Sequence, residues 1–118
     1  MPADVMKPIL RGENGELVGF VSRIAGSWAA MTIFGYTITR VETEEEASDI
    51  VRTDGLTFLQ GLWQYYDESD KQWYPCTLKE VYENKVVLTR TNDMGYEDPN
   101  GYKRVTLRHP SEANLQKS

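Results

Sequence analysis

Short apolar runs broken by glycines and polar pairs dominate the chain, and one segment alone carries a helical period. Ile9-Leu10 and the run Leu17 to Ile24 flank Glu13-Asn14-Gly15-Glu16. The Asn-Gly pair predicts a hairpin, because both residues tolerate positive φ. A second turn is predicted at Ala25-Gly26-Ser27. Beyond it, Trp28, Ala30, Thr32 and Phe34 alternate with Ala29, Met31 and Ile33, and Tyr36 to Val41 reads as a further strand after Gly35. The first half is therefore expected to be an antiparallel meander.

Thr43-Glu44-Glu45-Glu46 fits a capping box, in which the Thr43 hydroxyl accepts from the Glu46 amide. Acidic residues in the first turn also suit the positive end of the helix dipole. Ala47, Ile50 and Val51 recur at helical spacing, and Gly55 is expected to stop the helix as a C′ residue, so the helix spans about Glu44 to Asp54. It is expected to pack on one face of the meander. Its carboxylates, with Glu42 and Asp49, read as a solvated helix face.

After Gly55 the pattern returns to strands and becomes more aromatic. Leu62 to Tyr66, Trp73 to Val81, Lys85 to Thr91 and Tyr102 to Leu107 are strand-like, joined by polar turns at Asp67 to Lys71 and Tyr82 to Asn84 and by the loop Asn92 to Gly101. So many short strands in so little chain predict a small, highly curved barrel. The Asp67 to Asp70 run is no calcium loop: the central Gly is missing, and Leu78 stands where a bidentate Glu belongs. The fold class is mainly β (α+β), with a meander-plus-helix module over 1–55, a small β-barrel module over 56–110 and a tail over 111–118. Leu56, Phe58 and Leu59 in the short bridge predict that the modules pack together.

Composition changes this picture mainly by exclusion. With 118 residues the chain is long enough to bury roughly two-thirds of its unfolded surface. Its net charge of -5 works against sequence-independent binding to a polyanion. Cys76 is the single cysteine and His109 the single histidine, so neither an internal disulfide nor a structural zinc site can be assembled. Cys76 reads as a small buried residue. Asp4 and Lys7 interrupt the N-terminus, and the uncharged stretch Ile24 to Thr39 is too short to span a bilayer, which predicts a cytoplasmic protein. No glycine pattern suits phosphate binding, and the carboxylate pairs Glu97-Asp98 and Glu80-Glu83 lack spacing that compels acid-base chemistry. The expectation is a protein that is not an enzyme and carries no cofactor.

Leu62-Trp63-Gln64-Tyr65-Tyr66-Asp67, Trp73-Tyr74-Pro75-Cys76-Thr77-Leu78 and Lys85-Val86-Val87-Leu88 together resemble the Tudor and Agenet group of small barrels, over about residues 62–107. The resemblance implies a binding module that holds a protein or peptide, in some members through a methylated Lys or Arg in an aromatic cage. Trp63 and Tyr74 match the cage positions of the first two strands, Tyr96 offers a further wall, and Thr89 stands where another aromatic would complete the cage, so a general peptide groove is expected. Residues 17–51, with Ser27-Trp28-Ala29-Ala30-Met31-Thr32 and the later run Val41 to Ala47, resemble the three-stranded sheet and helix of Apetala-type and integrase-type DNA-binding domains. That resemblance implies the architecture; only Arg23 and Arg40 stand where such sheets carry several arginines.

The leading expectation is peptide recognition by the aromatic surface of the second module, with Trp63, Tyr65, Tyr74 and Tyr96 as ligand-binding residues. Nucleic-acid binding is the alternative, carried by Lys79, Lys85, Arg90, Lys103 and Arg104 beside exposed tyrosines. A subunit interface is a third reading of the same aromatic surface.

Overall fold

The computed structural model describes residues 6–97 and 104–118. The chain divides into two compact units, Met1–Leu59 and Gln60–Ser118. Both are built on antiparallel sheets, and the fold is mainly β with one α-helix.

In the first unit, β1 (Met6–Arg11), β2 (Glu16–Ile24), β3 (Ser27–Met31) and β4 (Thr37–Val41) form a meander in that order. The first hairpin forms where the Asn-Gly pair predicts it, with a different pair of residues at positive φ. Arg11 pairs with Glu16, and the positive φ values fall on Gly12 and Gly15, so two glycines bracket the turn and Asn14 needs no special conformation. β3 ends at Met31, and Phe34 leaves the predicted strand because Thr32 to Tyr36 closes a turn in which Gly35 N–H donates to the Thr32 carbonyl at 2.9 Å.

Helix α1 (Glu44–Asp54) has Thr43 as N-cap, its Oγ1 accepting from Glu46 N–H at 3.2 Å. Lys7 ties β1 to this helix through a 2.7 Å ion pair with Glu44. Ala47 and Val51 are buried against Ile9, Val18, Val21 and Ala30, with Trp28 and Leu56 packed on that cluster. Each valine so buried contributes about 1.5–3 kcal/mol. Gly55 does not adopt the left-handed C′ conformation expected of it, since its φ is -53°. The helix end approaches β2 too closely for a side chain: a Cβ on Gly55 would lie 2.4 Å from the Val18 carbonyl oxygen. The first unit also runs past residue 55, because Leu56 joins its core, Phe58 packs on Tyr36 at 6.1 Å and Leu59 is buried in the 3₁₀ turn Thr57–Leu59.

The second unit is a five-stranded sheet in the order β8-β7-β6-β5-β9, from β5 (Trp63–Asp67), β6 (Gln72–Val81), β7 (Lys85–Arg90), β8 (Arg104–Arg108) and β9 (Leu115–Lys117). Among the described residues no pairing joins β8 to β9, so the expected barrel is an open sheet by hydrogen bonding. β6 pairs with β5 over Gln72 to Cys76 and with β7 over Cys76 to Val81, the second pairing shifted in register between Leu78 and Glu80. The expected tail is corrected as well: Leu115 pairs with Tyr65 and is fully buried, which makes β9 a core strand.

Candidate functional site

The β5–β6 hairpin positions most of the aromatic residues. Trp63 pairs with Cys76, Tyr65 with Tyr74 and Tyr66 with Trp73, so successive rings alternate between the two faces. Asp67 fixes the turn, its Oδ1 accepting from Ser69 N–H at 2.9 Å and from Ser69 Oγ at 2.6 Å.

Trp63 and Tyr65, expected on a binding surface, are interior residues with 0% and 1% exposure. The physical reason is β9: Leu115 and Lys117 lie opposite Tyr65 and Trp63 in register and cover that side of β5. Lys117 Nζ sits 5.3 Å from the Trp63 ring centroid and donates to the Gln60 carbonyl. Burial pushes the Lys117 ammonium below its ordinary pKa. Tyr74 is half-buried, with the Arg90 guanidinium 3.3 Å from its ring centroid and its hydroxyl donating to Asp70. That hydrogen bond to a carboxylate is the main cause of a raised Tyr74 pKa. Tyr96 is 67% exposed on the turn after Thr91, where its N–H donates to Asn92 Oδ1 at 3.0 Å. The four expected ligand residues therefore form no common cage: two lie in the core, Tyr74 faces an internal cation, and Tyr96 stands out on a loop.

The basic residues of the alternative reading are similarly engaged. Lys79 pairs with Glu97, Arg104 with Glu80, and Lys85 lies 4.8 Å from the Tyr82 ring centroid. Glu80 also accepts from the Tyr82 hydroxyl at 2.7 Å, the leading cause of its lowered pKa. Lys103 lies outside the described residues. In the first unit, Arg23 pairs with Trp28 and Arg40 with Ala29; adjacent strand residues face opposite sides, so the two guanidinia sit on different faces of the sheet.

A cleft of about 310 Å³, which the sequence did not indicate, opens between β5 and β8. Tyr65, Tyr66, Asp67 and Glu68 line one side, Val105, Leu107 and Arg108 the other, and Asn114 one end. Asn114 is held firmly: its carbonyl accepts from Tyr66 N–H at 2.9 Å and its Oδ1 from Ser111 N–H at 2.8 Å. Val105 and Leu107 are half-buried and alternate with exposed Arg104, Thr106 and Arg108. Three polar groups at the cleft remain uncommitted. The Tyr65 hydroxyl is buried with no hydrogen-bond partner, and desolvation raises its pKa, which keeps it protonated. Glu68 and Arg108 make no hydrogen bond or ion pair among the described residues. The sequence signal for this site was the alternation Val105-Thr106-Leu107-Arg108; its position opposite Tyr66 and Glu68 depends on the whole sheet. Tyr66 is braced by Trp73, the rings 5.5 Å apart and edge-on, with Trp73 39% exposed.

The remaining chemistry is sparse. Burial pushes the Cys76 thiol up to about 12, so it stays protonated and unreactive at neutral pH. Among the described residues no group of His, Cys, Asp and Glu is placed to hold a metal ion, and no helix is long and apolar enough to cross a membrane. Compared with protein-family models, curated proteins and solved structures, the chain matches none.

Proposed function

We propose that the chain is a non-catalytic binding protein whose second unit takes a protein segment or peptide into the cleft between β5 and β8. The observation that carries this reading is the conjunction of a ligand-sized, half-apolar cleft with three polar groups that have no partner among the described residues. Sites of this kind combine an apolar lining with a few placed polar groups that fix orientation. The strand order, in which the last strand returns beside the first, is compatible with the Tudor-like reading of residues 62–107. The ligand differs from that resemblance, because Tyr74 and Trp63 already face Arg90 and Lys117. Nucleic acid is disfavoured by the same pairing: a phosphate would have to displace Glu80 from Arg104 and Glu97 from Lys79.

A display selection of random heptapeptides against the purified chain tests the reading. Enriched peptides are expected to perturb the amide resonances of Tyr66, Glu68, Leu107 and Arg108 and to lose binding in Glu68→Lys or Arg108→Glu. A selection that enriches nothing, or peptides that bind without touching these residues, would refute it.

A further inference from the structure

The cleft between β5 and β8 carries opposite charges on its two walls. The β5 wall continues into the acidic turn of Asp67, Glu68 and Asp70, and the β8 wall ends at Arg108. Two of these carboxylates are engaged, Asp67 by Ser69 and Asp70 by the Tyr74 hydroxyl. Glu68 makes no hydrogen bond or ion pair among the described residues, although Lys71 lies in the same turn. Arg108 is likewise uncommitted, and its register partner on β7 is a second cation, Lys85. Like charges directly opposite each other on a sheet repel. Glu80 is close enough to Lys85 to feel its charge, but its carboxylate is bound to Arg104 and to the Tyr82 hydroxyl. The Arg108 side of the cleft therefore stays positive and the Glu68 side negative.

These charges restrict what the cleft can take. Glu68 and Arg108 both line it and form no ion pair with each other, which leaves room for ligand groups between them. An anion at Arg108 alone would be repelled by Glu68 and Asp67, and a cation at Glu68 alone would be repelled by Arg108 and Lys85. An uncharged ligand would cover both charges and pair neither. Covering a charge without pairing it is costly. A ligand carrying both signs pairs with both walls, and its middle meets the half-buried Val105 and Leu107. Matching of this kind attracts the right ligand and repels ligands of either single sign.

Resting on the peptide-binding reading above, we infer that the cleft selects a zwitterionic segment: a basic side chain paired with Glu68, an acidic side chain paired with Arg108, and an aliphatic residue between them on Val105 and Leu107.

The probes are acetyl-Lys-Leu-Glu-amide and its reverse, acetyl-Glu-Leu-Lys-amide, because the wall charges do not set the direction of the bound chain. Acetyl-Gln-Leu-Glu-amide and acetyl-Lys-Leu-Gln-amide each remove one charge. Binding to the full-length chain is followed by the amide resonances of Glu68, Leu107 and Arg108. At least one zwitterionic probe is expected to bind about tenfold more tightly than either singly charged one, the size of one charge-assisted contact. Arg108→Glu is expected to prefer acetyl-Lys-Leu-Lys-amide, and Glu68→Lys to prefer acetyl-Glu-Leu-Glu-amide. Mere damage to the fold would not produce two opposite swaps of preference.

Singly charged probes that bind as tightly as the zwitterionic ones, or variants that keep the wild-type preference, would overturn the inference. If display-selected peptides bind the cleft but neither zwitterionic probe does, the zwitterionic class is wrong while the peptide-binding reading stands. If no peptide of either kind binds, that reading itself fails.

Discussion

The Arg90 guanidinium lies 3.3 Å from the centroid of the Tyr74 ring, so the π-face matching an aromatic-cage position already holds a cation from the neighbouring strand. Cys76 pairs with Arg90 and Tyr65 with Tyr74, which places this stack on the core side of the sheet. An external methylated lysine would have to displace a guanidinium tethered by its own strand. The Tyr74 ring resonances are therefore expected to stay unmoved on titration with trimethyllysine amide. A saturable shift of those resonances would show that Arg90 yields its place.

Deletion of residues 111–118 is expected to unfold the second unit, and Leu115→Ala alone to cost about 2–5 kcal/mol, because a fully buried leucine leaves a cavity. Urea denaturation measures both. Retention of wild-type stability would return this segment to the status of a tail.

Helix propensity and packing make opposite forecasts for Gly55→Ala. Propensity favours alanine by up to about 1 kcal/mol in a helical conformation. Here a Cβ would meet the Val18 carbonyl oxygen at 2.4 Å and the Val51 carbonyl oxygen at 2.5 Å, both backbone atoms. The variant is expected to lose about 1–3 kcal/mol. A raised melting temperature would contradict the close approach of helix and strand.

Thr43→Ala is expected to cost about 1 kcal/mol by leaving the Glu46 amide without its cap. Thr43→Ser should restore most of it. An unchanged melting curve for the alanine variant would mean that the helix starts elsewhere.

Cys76 gives a pH dependence of known sign. Its folded pKa is raised from 9.0 to about 12 by burial, so between these values the folded state holds a proton that the unfolded state has released. Stability from this residue is intact below pH 9 and falls as pH rises, by roughly 1.4 kcal/mol per unit. Tyr65, Tyr74 and Tyr82 also have raised values and Lys117 a lowered one, so the effect must be read as a difference from Cys76→Ala. A constant difference between the two proteins from pH 8.5 to about 11 would show that the thiol titrates normally.

The elements were largely legible in the sequence because their signals are local. The Thr43 cap, the helix of Glu44–Asp54 and the strands of the β5–β6 hairpin follow from side chains within a few residues of each other. The first turn falls where the Asn-Gly pair predicts it, but the positive φ is taken by Gly12 and Gly15 and not by Asn14, because all three suit a turn and the glycines adopt that conformation at least cost.

Site residues were less legible, because an alternating strand specifies that two faces differ without saying which is covered. Tyr65 and Tyr66 had to face opposite ways from the sequence alone. That Tyr65 is fully covered while Tyr66 beside it stays half-buried depends on Leu115, fifty residues away in the chain. Arg90, Lys117 and Arg108 look alike in composition, yet two of them face internal rings and the third stands uncommitted at the cleft.

What the letters alone determined was the menu: short antiparallel strands, one capped helix, an acidic surface, and too few cysteines and histidines for a disulfide or a zinc site. What tertiary structure decided was the assignment of each aromatic ring and cation to core, internal pair or cleft. The reason is range: turn chemistry and capping act between near neighbours, whereas burial and pairing across a sheet are set by strands that the chain brings together from a distance.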